Sequence, residues 1–147
     1  VLAGARAALK DGVAGALVSG FHHASANHGE GFCTFNGLIV AAEALKAERQ
    51  IQSAAILDMD LHYGNGTALL AASRPWVRAL SIYGNDYWEN TPYRDVSVRH
   101  HEDGPNHFSV PILPRGEEDG SQLLALLDEH LPWLTQAVRP DVLFYQA

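Results

Sequence analysis

The chain has 147 residues, 47% of them hydrophobic, and a formal net charge of −7. A single domain fits this length, burying roughly 70% of the surface that the unfolded chain would expose. One cysteine, Cys33, excludes an internal disulfide framework. The acidic balance argues against a nucleic-acid footprint, and the lack of a long apolar run or basic-then-apolar leader leads us to expect a cytoplasmic protein without a membrane span.

In chain order, Val1 to Lys10 reads as the end of a helix, and the apolar stretch within Val13 to Ser19 as a strand. Gly29 to Asn36 is a glycine- and aromatic-rich loop. Phe35 to Glu48 follows as an amphipathic helix with Leu38, Ala41, Ala42 and Leu45 at helical spacing. Strands are predicted at Ser53 to Asp58 and Val77 to Tyr83, with a short helix from Gly66 to Ala72 between them. Gly84 to Asn106 is polar and turn-rich, a long surface loop. His107 to Ile112 reads as a strand, Asp119 to Ala137 as a helix that Pro132 should break or kink, and Val142 to Gln146 as a last strand. Strands alternating with helices predict a three-layer α/β/α domain around a mainly parallel sheet.

Chemistry concentrates in two segments. Asp58-Met59-Asp60-Leu61-His62-Tyr63-Gly64-Asn65-Gly66-Thr67 follows the apolar run Ala54 to Leu57. Alternation along a strand would project Asp58, Asp60 and His62 together, at the carboxyl end of a strand, where open α/β sheets place ligands. Gly20-Phe21-His22-His23-Ala24-Ser25 sits at another strand exit. Adjacent imidazoles there can act as general base and acid, because they titrate close to neutral pH.

The order Gly-Phe-His-His-Ala-Ser, then Gly-Phe-Cys-x-Phe-Asn, then Asp-x-Asp-x-His-x-Gly-Asn-Gly-Thr resembles the zinc-dependent histone deacetylase superfamily, which includes acetylpolyamine deacetylases and bacterial amidohydrolases. The form with Phe21 before the histidines is most similar to class IV members. The resemblance implies an arginase- and deacetylase-like fold, incomplete at both ends. Residues 1–147 would then be the central part of one catalytic domain in a longer enzyme.

It also implies roles. Asp60 and His62 match metal ligands, with zinc favoured and iron or cobalt tolerated by such a donor set. The family's third ligand and its oxyanion tyrosine would lie beyond Ala147, so the chain alone is expected to be inactive or slow. Asp58 matches the carboxylate that hydrogen-bonds His22. Asn65 matches the partner of His23, where many members carry aspartate. A neutral amide stabilises imidazolium less, so His23 is assigned as the general base toward a metal-activated water, with His22 orienting and balancing charge. Gly31 and Phe32 match the wall of a narrow channel suited to an alkyl stem. Backbone carbonyls of Asp58, Asp60 and His62, with Ser81, match a potassium site.

The implied reaction is removal of acetyl from an N-acetylated amine, of acetyl-lysine or acetylpolyamine type. The alternatives are hydrolysis of another linear amide, with Tyr87-Trp88 setting the choice, or an inactive fragment. Phe35 is expected to pack under its helix, Cys33 to be a small buried filler, and Tyr63 to affect packing alone. His28, His107 and His130 are expected at the surface or in caps. His100-His101-Glu102-Asp103 lacks the ligand spacing of a metal site. An interrupted sheet would expose apolar surface, so self-association into homo-oligomers is expected.

Overall fold

The computed structural model describes residues 1–18, 20–86, 91–92, 104–112, 120–136 and 139–147. Four helices are seen among them, α1 (Leu2–Asp11), α2 (Gly37–Ala47), α3 (Asn65–Ala72) and α4 (Ser121–Thr135). The strands are β1 (Ala54–Asp58), β2 (Val77–Tyr83), β3 (Asn85–Asp86), β4 (Thr91–Pro92), β5 (His107–Pro111) and β6 (Val142–Gln146). Four of them form one sheet in the order β5-β2-β1-β6, parallel at every pairing. The two short strands β3 and β4 pair antiparallel.

Alternation along β1 divides the core in two. Ala54 and Ile56, with Val77, Ala79, Val142 and Phe144, pack under α1, α2 and α3. Ala55 and Leu57, with Leu80 and Ile82, pack under α4 through Leu134. Each face of the sheet therefore loses water to its own helical layer, which makes the three-layer α/β/α architecture. Asp58 continues the series Ala54, Ile56 on the α2 and α3 side, and register places it beside Ser81 of β2 and Gln146 of β6. A carboxylate is thus delivered to the carboxyl end of the central strand.

Three expectations need correction. The stretch 13–18 is not a strand. Among the described residues none pairs with it, and a groove lined by Val13, Ala16, Phe21, Val142 and Phe144 separates it from β6. Without a ladder its backbone gains nothing from extension, and Val18 N–H donates instead to Ala16 C=O at 3.0 Å. Secondly, Pro132 lies inside α4 without ending it. Leu131, Trp133 and Leu134 on the packed face hold the helix against β1 and β2, which outweighs the lost backbone bond. Finally, α2 begins after Phe35. Asn36 caps it by accepting the Ile39 N–H at 3.2 Å, so Phe35 stays outside the helix and is 74% exposed instead of packed beneath it.

The Tyr87-Trp88 pair and the segment His100 to Asp103 lie outside the described residues.

Candidate active site

The site is built where α3 meets the backbone of residues 22–24. Thr67 N–H donates to His22 C=O at 3.0 Å. Asn36 Nδ2 donates to Thr67 Oγ1 at 3.0 Å, so one side chain caps α2 and braces α3. Two glycines permit the approach. A Cβ on Gly66 would lie 2.4 Å from Ala24 O and 2.6 Å from His23 O, and one on Gly64 would lie 2.5 Å from Asp58 Oδ2. The Gly-Asn-Gly spacing thus leaves one side chain, Asn65, in a junction with no room for two more.

Both histidines are buried and each is tethered through Nδ1. His22 Nδ1 stands 2.7 Å from Asp58 Oδ2, and His23 Nδ1 2.7 Å from Asn65 Oδ1. Their rings lie 4.0 Å apart between centroids, tilted by 45°, and the His62 ring meets His23 edge-on at 6.0 Å. Burial presses most strongly against charge on His22, but the hydrogen bond and charge of Asp58, joined by the charge of Asp60, together hold its pKa above the ordinary 6.5. His23 moves the other way. Burial lowers it most, and the neighbouring His22 charge adds to that, outweighing the Asn65 hydrogen bond that raises it. The neutral imidazole expected at His23 follows chiefly from desolvation, and the amide at Asn65 opposes the shift instead of causing it.

Asp58, Asp60 and His62 do not share a strand face, because β1 ends at Asp58. A turn brings them together instead. Asp58 Oδ1 accepts the Asp60 N–H at 3.1 Å, and Asp60 Oδ1 accepts the His62 N–H at 2.8 Å. Asp60 Oδ1 then lies 3.2 Å from His62 Nδ1 and 3.6 Å from His22 Nε2. Carboxylate plus imidazole is a donor set that fits a divalent metal. The number of donors falls short, since the described residues contain no group of three His, Cys, Asp or Glu arranged to hold one. Ser81, buried beside Asp58, accepts the Gly64 N–H through Oγ at 3.5 Å.

Gly31 and Phe32 form the two-residue tip of a small hairpin closed by reciprocal Glu30 and Cys33 backbone bonds of 2.9 and 2.7 Å. Both tip residues have positive φ, 52° and 61°, as a type I′ turn requires. An aromatic residue there is strained, yet Phe32 is fully exposed at 107%. Cys33 beneath it is buried, and burial is the main cause that pushes its thiol above the ordinary 9.0, in keeping with an inert filler. Tyr63 is fully buried, in contact with Tyr83 and His107. His107 is therefore a core residue at 1% exposure, where a surface or cap position is expected from sequence. Half-buried His130 packs on Phe108, while His28 is exposed.

One residue that the motifs do not single out joins the site. Glu30 Oε2 lies 3.5 Å from Asn65 Nδ2 and 3.2 Å from His28 Nε2. Its only signal in the sequence is a carboxylate between two glycines of the loop ahead of α2.

The family described as the histone deacetylase domain matches residues 1–147. The chain belongs to the histone deacetylase family. Histone deacetylase 5 of Arabidopsis thaliana is 32% identical to it over 86% of this chain and 20% of its own length. A histone deacetylase-like amidohydrolase of Pseudomonas aeruginosa is 31% identical over 67% of this chain and 26% of its own. Among solved structures, an acetylpolyamine aminohydrolase from Burkholderia pseudomallei superposes with a TM-score of 0.75, at 28% identity, covering 99% of this chain and 43% of that one. An uncharacterized protein of Picosynechococcus, 31% identical over 97% of this chain, is spanned to 43% of its length. This histone deacetylase family chain thus spans less than half of the relatives it matches, and its parallel sheet between helices is the fold of that family. Among the described residues no helix is long and apolar enough to cross a membrane.

Proposed function

We propose that this chain carries the proton-transfer centre and part of the metal site of a hydrolase that removes acetyl from an N-acetylated amine, of acetyl-lysine or acetylpolyamine type. The observation that carries this reading is the pair of buried imidazoles, each fixed through Nδ1 by a different partner, a carboxylate at His22 and an amide at His23. Two adjacent groups of one type, pushed to opposite sides of 6.5, divide base and charge-balancing duties between them.

Asp60 and His62 would hold the metal, zinc by preference and iron or cobalt with the same donors. When bound, such an ion supplies Lewis-acid polarisation of the amide carbonyl and acidifies water. His23, neutral near pH 7, accepts a proton at Nε2. His22, whose protonated form Asp58 favours, stabilises negative charge as it develops and keeps the ring beside it in place. Phe32 offers an aromatic face to the methylenes of a linear substrate, which the names of the amidohydrolase and polyamine relatives support. Backbone carbonyls of Asp58, Asp60 and His62 with Ser81 would hold potassium.

A second reading, a family scaffold that does not turn over, is favoured by the missing third donor among the described residues. The test is acetate release from an acetyl-lysine peptide and from a monoacetylated diamine, by the protein that carries these residues, with zinc supplied. Turnover reduced about a hundredfold or more by His23→Ala is expected, the range for a general base. Turnover indifferent to His23, or none from either substrate, contradicts the reading.

A further inference from the structure

Asn65 presents chemically opposite faces to its two neighbours. Oδ1 meets His23 Nδ1 at 2.7 Å, and Nδ2 meets Glu30 Oε2 at 3.5 Å. An amide in this place can turn over, exchanging a hydrogen-bond acceptor for a donor toward the imidazole. Two consequences follow for a neutral His23. With oxygen toward it, Nδ1 carries the proton and Nε2 keeps a lone pair. With nitrogen toward it, the tautomer reverses and Nε2 has no lone pair to accept a proton.

An ionised carboxylate only accepts hydrogen bonds. Glu30 is largely shielded from solvent, and its Oε2 is also approached by His28 Nε2 at 3.2 Å. The hairpin closed between Glu30 and Cys33 fixes the backbone that presents it. Turning the Asn65 amide would set its oxygen against the Glu30 oxygen and lose the hydrogen bond to Glu30, while the one to His23 would persist only in the reversed tautomer.

We propose that Glu30 is a positioning residue, which locks the Asn65 amide with its oxygen toward His23 and so selects the imidazole tautomer that carries its proton at Nδ1 and its lone pair at Nε2. The proposal rests on the deacetylase reading for its catalytic meaning, while the tautomer itself is observable without turnover. Where the more familiar partner of such a histidine is a carboxylate with no donor face, an asparagine creates an orientation problem that a second carboxylate solves.

The experiment is two-bond ¹H–¹⁵N correlation NMR of the ring nitrogens at about pH 8, on protein carrying ¹⁵N-histidine. The parent is expected to show His23 as one tautomer, protonated at Nδ1. Glu30→Ala should give a mixture or the reversed tautomer. Glu30→Gln, which keeps the shape and can itself present either face, should give a mixture, and it serves as the reading if the alanine variant fails to fold. In an Asn65→Asp background no amide remains to be oriented, so Glu30→Gln there should leave the tautomer unchanged. A parent protonated at Nε2, a single unchanged tautomer in both Glu30 variants, or an equal effect in the Asn65→Asp background overturns the proposal. In the active protein, kcat should fall with the competent fraction, roughly two- to tenfold, at unchanged KM. Absence of any acetate release would sink the deacetylase reading and leave the NMR result to decide the role of Glu30.

Discussion

Oδ2 of Asp58 lies 2.7 Å from Nδ1 of His22, with both side chains almost wholly shielded from solvent. The other oxygen of the same carboxylate accepts the Asp60 N–H at 3.1 Å. One buried side chain therefore orients an imidazole and shapes the turn that carries Asp60 and His62. Asp58→Ala should leave His22 with an unpaired buried nitrogen and cost roughly 3–5 kcal/mol, as when one partner of a buried pair is removed. Urea denaturation of parent and variant at pH 6 would measure it, and a loss below about 1 kcal/mol would mean that the pair is not formed.

The two histidines should give stability opposite dependences on pH. His22, raised above 6.5, contributes stability that is fully present below 6.5 and lost as pH rises through its folded value. His23, lowered below 6.5, contributes stability that is present above 6.5 and lost as pH falls through its folded value. Replacing His22 by Asn should therefore make stability rise more steeply with pH across this region, and replacing His23 should make it fall more steeply. Denaturation midpoints between pH 5 and 8.5 would show either the crossing pair of trends or its absence.

Much of this arrangement is legible in the sequence, for identifiable reasons. The run Ala54 to Leu57 ahead of Asp58 announces a strand buried on both faces, and β1 is that strand. The Asp-x-Asp-x-His spacing announces convergence, although the convergence comes from Asx-type turns past the strand end and not from strand alternation. What stays hidden depends on partners remote in sequence. The stretch 13–18 has the composition of a strand and no ladder to join. His107 reads as a polar surface residue, until β5 pairs with β2 and closes Tyr63 over it. Glu30 carries no motif of its own, and its place beside Asn65 follows only from the hairpin that presents it.

Gly66 should tolerate no side chain. A Cβ there meets carbonyl oxygens and a carbonyl carbon of residues 23 and 24 at 2.4–2.6 Å, all backbone atoms. Gly66→Ala is expected to destabilise by about 1–3 kcal/mol, the usual cost of overpacking, and to shift the His23 ring resonances. A variant as stable as the parent with unmoved resonances would show that α3 sits farther from that backbone.

Phe32 trades stability for an exposed ring. Its φ of 61° suits asparagine better than an aromatic side chain. Phe32→Asn should therefore stabilise the fold by roughly 0.5–1 kcal/mol, while raising KM for an acetylated linear substrate in the active protein. Thermal melts and Michaelis curves check the two halves, and a loss of both stability and affinity would point to a packing role instead.

β6 lies at the edge of the sheet, with Leu143 and Tyr145 exposed at 46% and 62%. An edge with apolar side chains invites pairing with another chain. Self-association that rises with concentration is expected in light scattering, and Tyr145→Lys should reduce it. A monodisperse monomer at high concentration would contradict this.

Zinc titration calorimetry tests most directly whether Asp60 and His62 form part of a metal site. One equivalent of zinc should bind the chain, weakly for two protein donors, and Asp60→Ala and His62→Ala should each weaken it at least about tenfold, the scale on which altering a metal site is felt. Binding unchanged in both variants would contradict the account.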